Sequence, residues 1–107
     1  MSDHYVRALL AAYHALPGTP RRVSRHDRLL ASSLASRGVP LESVQDAFVI
    51  ATARRTFRPE DSVPLGPIRS LAYFIPVLDE VLVRPPDPEY LTYLHRKLEI
   101  LASPHPA

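Results

Sequence analysis

The chain is 107 residues long, has no cysteine, and carries a formal net charge of +2 from 13 basic and 11 acidic residues. That length supports one hydrophobic core without staples, and the missing cysteines exclude disulfide frameworks, thiolate nucleophiles and thiolate metal sites. No apolar run is long enough to span a bilayer, so a protein of the reducing cytoplasm with no membrane partner is expected.

The first helix is predicted from Ser2 or Asp3 to Leu16, with Val6, Leu9, Leu10 and Tyr13 at the spacing of one apolar stripe. The short run 8–12 follows Arg7 and leads into Tyr13 and His14, so it reads as part of that stripe and not as an export segment. Pro17-Gly18-Thr19-Pro20 stops the helix. The second helix starts with Ser24 as N-cap, has Asp27 three residues later as an acidic variant of the capping box, and continues to Ser36. Gly38 is the expected left-handed cap at its far end. Pro40 suits the first turn of a third helix, where its missing N–H is harmless. That helix places Leu41, Val44, Ala47, Phe48 and Ala51 on its main buried face and Val49, Ile50 and Ala53 off it, the pattern of a helix surrounded by others.

Residues 58–67, with three prolines and a glycine, form the longest connection and the one expected flexible loop. The fourth helix, from Ile68 to about Val83, is apolar almost all round and is interrupted by Pro76. A proline there deletes one backbone hydrogen bond and either kinks the helix or splits it in two. The helical spacing of Ile68, Leu71, Ile75, Leu78 and Leu82 straight through the proline favours a kink. Asp87 as cap, Pro88 in the first position and Glu89 in the first turn open a fifth helix lined by Leu91, Leu94, Leu98 and Leu101. No segment alternates as a half-buried strand does. The fold class is therefore all-α: a compact single-domain bundle of five helices over residues 1–103, the third and fourth central, followed by a tail at 104–107.

The charge is unevenly placed. Residues 1–57 hold eight arginines against four acids, whereas residues 58–107 hold five basic groups against seven acids. Twelve of the 13 basic residues are arginine, whose planar fork suits phosphate, although codon usage in a GC-rich genome produces the same bias. Arg21, Arg22, Arg25 and Arg28 crowd a helix N-terminus, where cations oppose the dipole and a phosphate would compensate. The bland alternative is a solvated patch softened by Asp27. Arg54, Arg55 and Arg58 follow the end of the third helix, where the dipole already favours cations and no ligand is required.

The Gly38 turn invites comparison with a DNA-reading helix-turn-helix, but the second helix opens Leu41-Glu42-Ser43, which is poor equipment for base edges. An ordinary helical hairpin is preferred. The five histidines do not pair with carboxylates at metal-site spacing, so neither metal nor cofactor is expected. Ser32, Ser33 and Ser36 lack a glycine elbow or a phosphate loop, and no residues assemble a catalytic pocket. Tyr90 and Tyr93 are able to stack on bases, but packing at the rim of the core is preferred. The leucines at 91, 94, 98 and 101 form a seam too short for an independent coiled coil, which docks on the bundle or takes a partner helix.

Three features resemble the small helical domains of bacterial and phage replication-initiation and helicase-loader proteins, the DnaD-like group. They are the turn Arg37-Gly38-Val39-Pro40-Leu41-Glu42-Ser43-Val44, the segment Ile68-Arg69-Ser70-Leu71-Ala72-Tyr73-Phe74, and Tyr90, Leu94 and Leu98 at intervals of four. The resemblance spans about residues 24–100 and implies contact with DNA and with a larger protein such as a helicase. Residues and resemblance together lead to the expectation of a non-enzymatic nucleic-acid-associated module of replication or a mobile element, with DNA favoured over RNA and a helicase or recombinase as protein partner. It would hold phosphate through Arg21, Arg22, Arg25 and Arg28, helped by Arg54, Arg55 and Arg58. The runner-up is a protein-interaction adaptor using the leucine-lined fifth helix.

Overall fold

The computed structural model describes residues 2–102 and contains α1 (Ser2–His14), α2 (Arg25–Ser36), α3 (Leu41–Thr56), a 3-10 turn (Leu71–Phe74), α4 (Ile75–Val83) and α5 (Pro88–Ala102). No strand occurs among the described residues, so the fold is the expected all-α bundle of five helices. The expected tail at 104–107 and the domain limit at 103 lie outside the described residues.

α3 is the axis of the bundle. It packs against α1, α4, α5 and the 3-10 turn, while α2 lies on α1 and reaches the same turn. The sequence explains this position: Val44, Ala47, Phe48, Ile50, Ala51, Thr52 and Ala53 are all buried, so apolar or small residues surround most of the helix and the alanines let neighbours approach. The centre is aromatic. Phe48 and Phe74 meet edge to face with centroids 4.9 Å apart, and Tyr13 meets Phe74 in the same way at 6.0 Å. Leu9, Leu34, Leu71, Leu78 and Leu94 complete this core from the other elements.

The local signals act as their chemistry requires. Ser24 Oγ accepts from the Asp27 N–H at 3.1 Å and Asp27 Oδ2 accepts from the Ser24 N–H at 3.0 Å, closing the capping box. At the other end of α2, Gly38 takes φ +71°, its N–H bonds the Ala35 carbonyl, and the Val39 N–H bonds the Leu34 carbonyl. That is a Schellman closure, with Val39 and Leu34 both in the core. Pro40 lies one residue before the helix it was expected to open, as the N-cap of α3. Asp87 Oδ1 accepts from the Glu89 N–H at 2.8 Å, which caps α5 with Pro88 in its first position.

The fourth element departs from expectation at its start and at its proline. Helical structure begins at Leu71 and not at Ile68, and the expected kink at Pro76 takes the form of a change of helix type. The Ile75 N–H bonds the Ala72 carbonyl in the tighter 3-10 pattern, and Pro76 then occupies the first turn of α4, where no N–H is needed. α4 is also less enclosed than its composition suggested. Its nine residues bury Leu78 and Val81 against the bundle but leave Leu82 and Val83 exposed. Two arginines reach the long connection: Arg58 donates to the Val63 carbonyl at 2.7 Å, and Arg55 donates to the Gly66 carbonyl at 2.9 Å.

Candidate nucleic-acid interface

The two arginine groups meet different fates. Arg21, Arg22, Arg25 and Arg28 are all exposed, and none has an acceptor among the described residues. Arg25 and Arg28 stand three residues apart, on the side of α2 that also exposes Ser32 and Ser36. Asp27, which in the bland alternative softens this patch, is turned the other way. It is 2% exposed, and its second oxygen accepts from the Leu71 N–H at 2.9 Å, 44 residues along the chain. One carboxylate therefore caps α2 and the 3-10 turn together, and both helix starts receive their negative charge from inside the protein.

The inward turn of Asp27 has an electrostatic result. It is the one acid among residues 21–40, so the surface of this segment, including exposed Arg37, displays five arginines and no carboxylate of its own. Asp3 of α1 borders Ser32, toward the opposite end of α2. Tyr13, fully buried, feels the change on the inner side: burial first, and the Asp27 charge second, push its hydroxyl up to about 12. That hydroxyl has no hydrogen-bond partner among the described residues, nor has the hydroxyl of Tyr5, which burial also raises.

The second group is employed within the fold. Arg54 grips Glu80 of α4 with two bonds of 2.9 Å, which holds the Glu80 carboxyl below the usual range and the guanidinium above its own. Arg55 also donates to the Tyr73 hydroxyl at 3.3 Å, with its guanidinium 5.3 Å from the ring centroid. With Arg58 holding Val63, all three of these side chains spend their donors on the connection and on α4. Glu80, Tyr73 and the carbonyls of Gly66 and Val63 are the residues that sequence reasoning missed.

The turn that leads to the first group lies beside one member of the second. Pro17 and Gly18, in the turn leading to Arg21, border a groove of about 230 Å³ whose other walls are Thr52, Arg55 and Thr56. The helix that a helix-turn-helix would send into a DNA groove is α3, the axis of the bundle, and it cannot leave that place. Leu94 is buried, Leu91 and Leu98 are half-buried, and Leu101 is 60% exposed, so the leucine seam docks on the core and runs out into solvent. Tyr90 and Tyr93 lie outside it, about half exposed, as a stacked pair with centroids 6.5 Å apart. Lys97 covers Phe57 at 4.2 Å. Among the described residues no cluster of three His, Asp or Glu side chains is able to hold a metal ion, and no helix is long and apolar enough to cross a membrane.

Set against known proteins, the chain matches no family model, no curated protein and no solved structure.

Proposed function

We propose that this protein is a non-enzymatic nucleic-acid-associated module that holds the phosphate backbone on the outer side of α2. The observation that carries this reading is the separation of charge over residues 21–40: five exposed arginines outside and the one carboxylate of that segment buried inside. Cations left unpaired at the positive end of a helix repel one another and the helix dipole, and a polyanion relieves both. Ser32 and Ser36, farther along the same side of α2, add hydroxyl donors of the kind that reach phosphate oxygens.

Arg21, Arg22, Arg25 and Arg28 are the principal contacts in this proposal. Arg54, Arg55 and Arg58 serve it by position, since each already spends one or two of its donors within the fold. α2 presents no Asn or Gln to adenine edges, and its arginines are assigned to phosphate, so the binding proposed is one of backbone and shape. Duplex DNA of replication or of a mobile element is the favoured ligand, and a helicase or recombinase the favoured companion, as the DnaD-like resemblance implies.

A salt titration tests this directly. Three or four phosphate contacts give a log–log slope of affinity against salt of roughly −3 to −4 on duplex DNA. Binding that ignores salt between low and physiological ionic strength contradicts the phosphate reading.

A further inference from the structure

α1 and α5 both pack on α3 but make no extensive contact with each other, so a strip of α3 between them is left uncovered. Two cavities of about 460 and 430 Å³ occupy that strip and share Leu16, Val49 and His95. They are one groove. Its floor follows a single face of α3 through Glu42, Asp46, Val49, Thr52 and Thr56. Those 14 residue steps at about 1.5 Å each make a length of about 21 Å, or roughly four helical turns.

The two ends differ in chemistry. Toward Thr56 the walls are Leu16, Pro17, Leu98 and Leu101. Toward the start of α3 the groove ends at Glu42 and Asp46, one turn apart, with His95 on the facing wall. Neither carboxylate has a hydrogen bond or ion pair within the described chain, and α3 carries no basic residue before Arg54. Like charges at this spacing cost stability. Burial and the Glu42 charge raise the Asp46 carboxyl, and His95 offsets this only in part. An unneutralised acidic pair thus closes an apolar groove in a protein whose net charge is positive.

We infer that the groove between α1, α3 and α5 takes an amphipathic helix of a partner protein, seated by apolar residues on Val49, Leu98 and Leu101 and by a lysine or arginine on Glu42 and Asp46. The length fits a helix, the floor fits its apolar stripe, and the acidic end selects a cation and fixes the direction of docking. This surface is separate from the α2 arginines and does not depend on nucleic-acid binding.

The test is selection from a displayed library of amphipathic helical peptides of about four turns, with apolar anchors fixed and the flanking positions randomised. The expected result is enrichment of peptides with lysine or arginine in one terminal turn, whose binding perturbs the methyl signals of Leu16, Val49 and Leu98. Val49→Arg should weaken these peptides at least tenfold. Leu101→Lys, at an exposed site that cannot unfold the bundle, should weaken them about threefold or more. Glu42→Gln with Asp46→Asn should remove the preference for cationic peptides. The inference is overturned by failure to enrich over a scrambled library, by selected peptides with no basic preference, or by binding that ignores Val49→Arg. It is equally overturned if the protein alone dimerises and Val49→Arg breaks the dimer, because the groove then belongs to a second copy.

Discussion

Arginines at the start of α2 and arginines at the end of α3 look alike as residues and behave as opposites in the fold. At α3 every guanidinium finds an acceptor: a carboxylate on α4, a tyrosine hydroxyl, and two carbonyls of the connection. At α2 the one available carboxylate is withdrawn into the core, and four cations are left facing solvent. The lesson is that a count of charges says little until the acceptors are located. An arginine supplied with a partner is part of the architecture, whereas a group without one keeps its donors open to solvent or to an anion from outside.

The largest effect should come from Asp27, on which the α2 half of this contrast depends. Asp27→Ala removes the side-chain acceptor of the Ser24 N–H, leaving only the Ser24 Oγ half of the capping box, and leaves the buried Leu71 N–H without an acceptor, at a combined cost of about 3 kcal/mol. The melting temperature should fall by on the order of 15 °C. Asp27→Asn should fall between this and the parent, since its single carbonyl oxygen keeps one of the two bonds. A negligible shift for the alanine variant would mean that Asp27 is free to turn outward, and the contrast between the two groups would fail.

Tyr13 reports on the same buried charge. Its hydroxyl is raised from 10.0 to about 12 in the folded state, so the folded protein keeps a proton that the unfolded chain releases. The sign follows: stability is whole below pH 10 and falls as pH rises toward 12, by on the order of 2 kcal/mol. Denaturant melts across that range should show the decline in the parent and a flatter profile in Tyr13→Phe. At neutral pH that variant should be no less stable, because the hydroxyl it lacks had no partner.

Smaller changes sharpen the α3 side. Arg55→Ala releases the Gly66 carbonyl and the Tyr73 hydroxyl and should cost about 1 kcal/mol. Amide exchange should quicken in residues 62–66 more than in the helices. Glu80→Gln should do least, because the pair it breaks is exposed on both sides. Arg54 holds the Glu80 carboxyl below its ordinary value, so the pair supports the fold above the ordinary carboxylate range and loses that support as pH falls through the folded value. The glutamine variant should lack this acid-side loss.

The parts of the structure that could be read from the chain are those written within a few residues. Ser24 with Asp27, Gly38, and Asp87 with Pro88 and Glu89 each marked a helix end that formed as read, because a cap is satisfied by backbone groups next to it. The period of the α3 sequence likewise revealed a helix enclosed by others. What escaped depends on contacts across the fold. The start of helix at Leu71 is set by a carboxylate 44 residues earlier, and Ile68 shares the apolar spacing without sharing that bond. The partners of Arg54 and Arg55 lie 26, 18 and 11 residues away, at distances for which spacing holds no information. The groove over Val49 was invisible for the same reason: it is a gap between two helices that both pack on a third.

The most direct test compares two double variants in one salt-titrated assay on duplex DNA. Arg22→Ala with Arg25→Ala should make the log–log slope shallower by about 2 while leaving the melting temperature unchanged or slightly raised, since cations leave the positive end of a helix. Arg54→Ala with Arg55→Ala should lower the melting temperature and leave the slope nearly intact. The opposite pattern, with the α2 pair structural and the α3 pair setting the slope, or an equal loss of slope from both, would contradict the account.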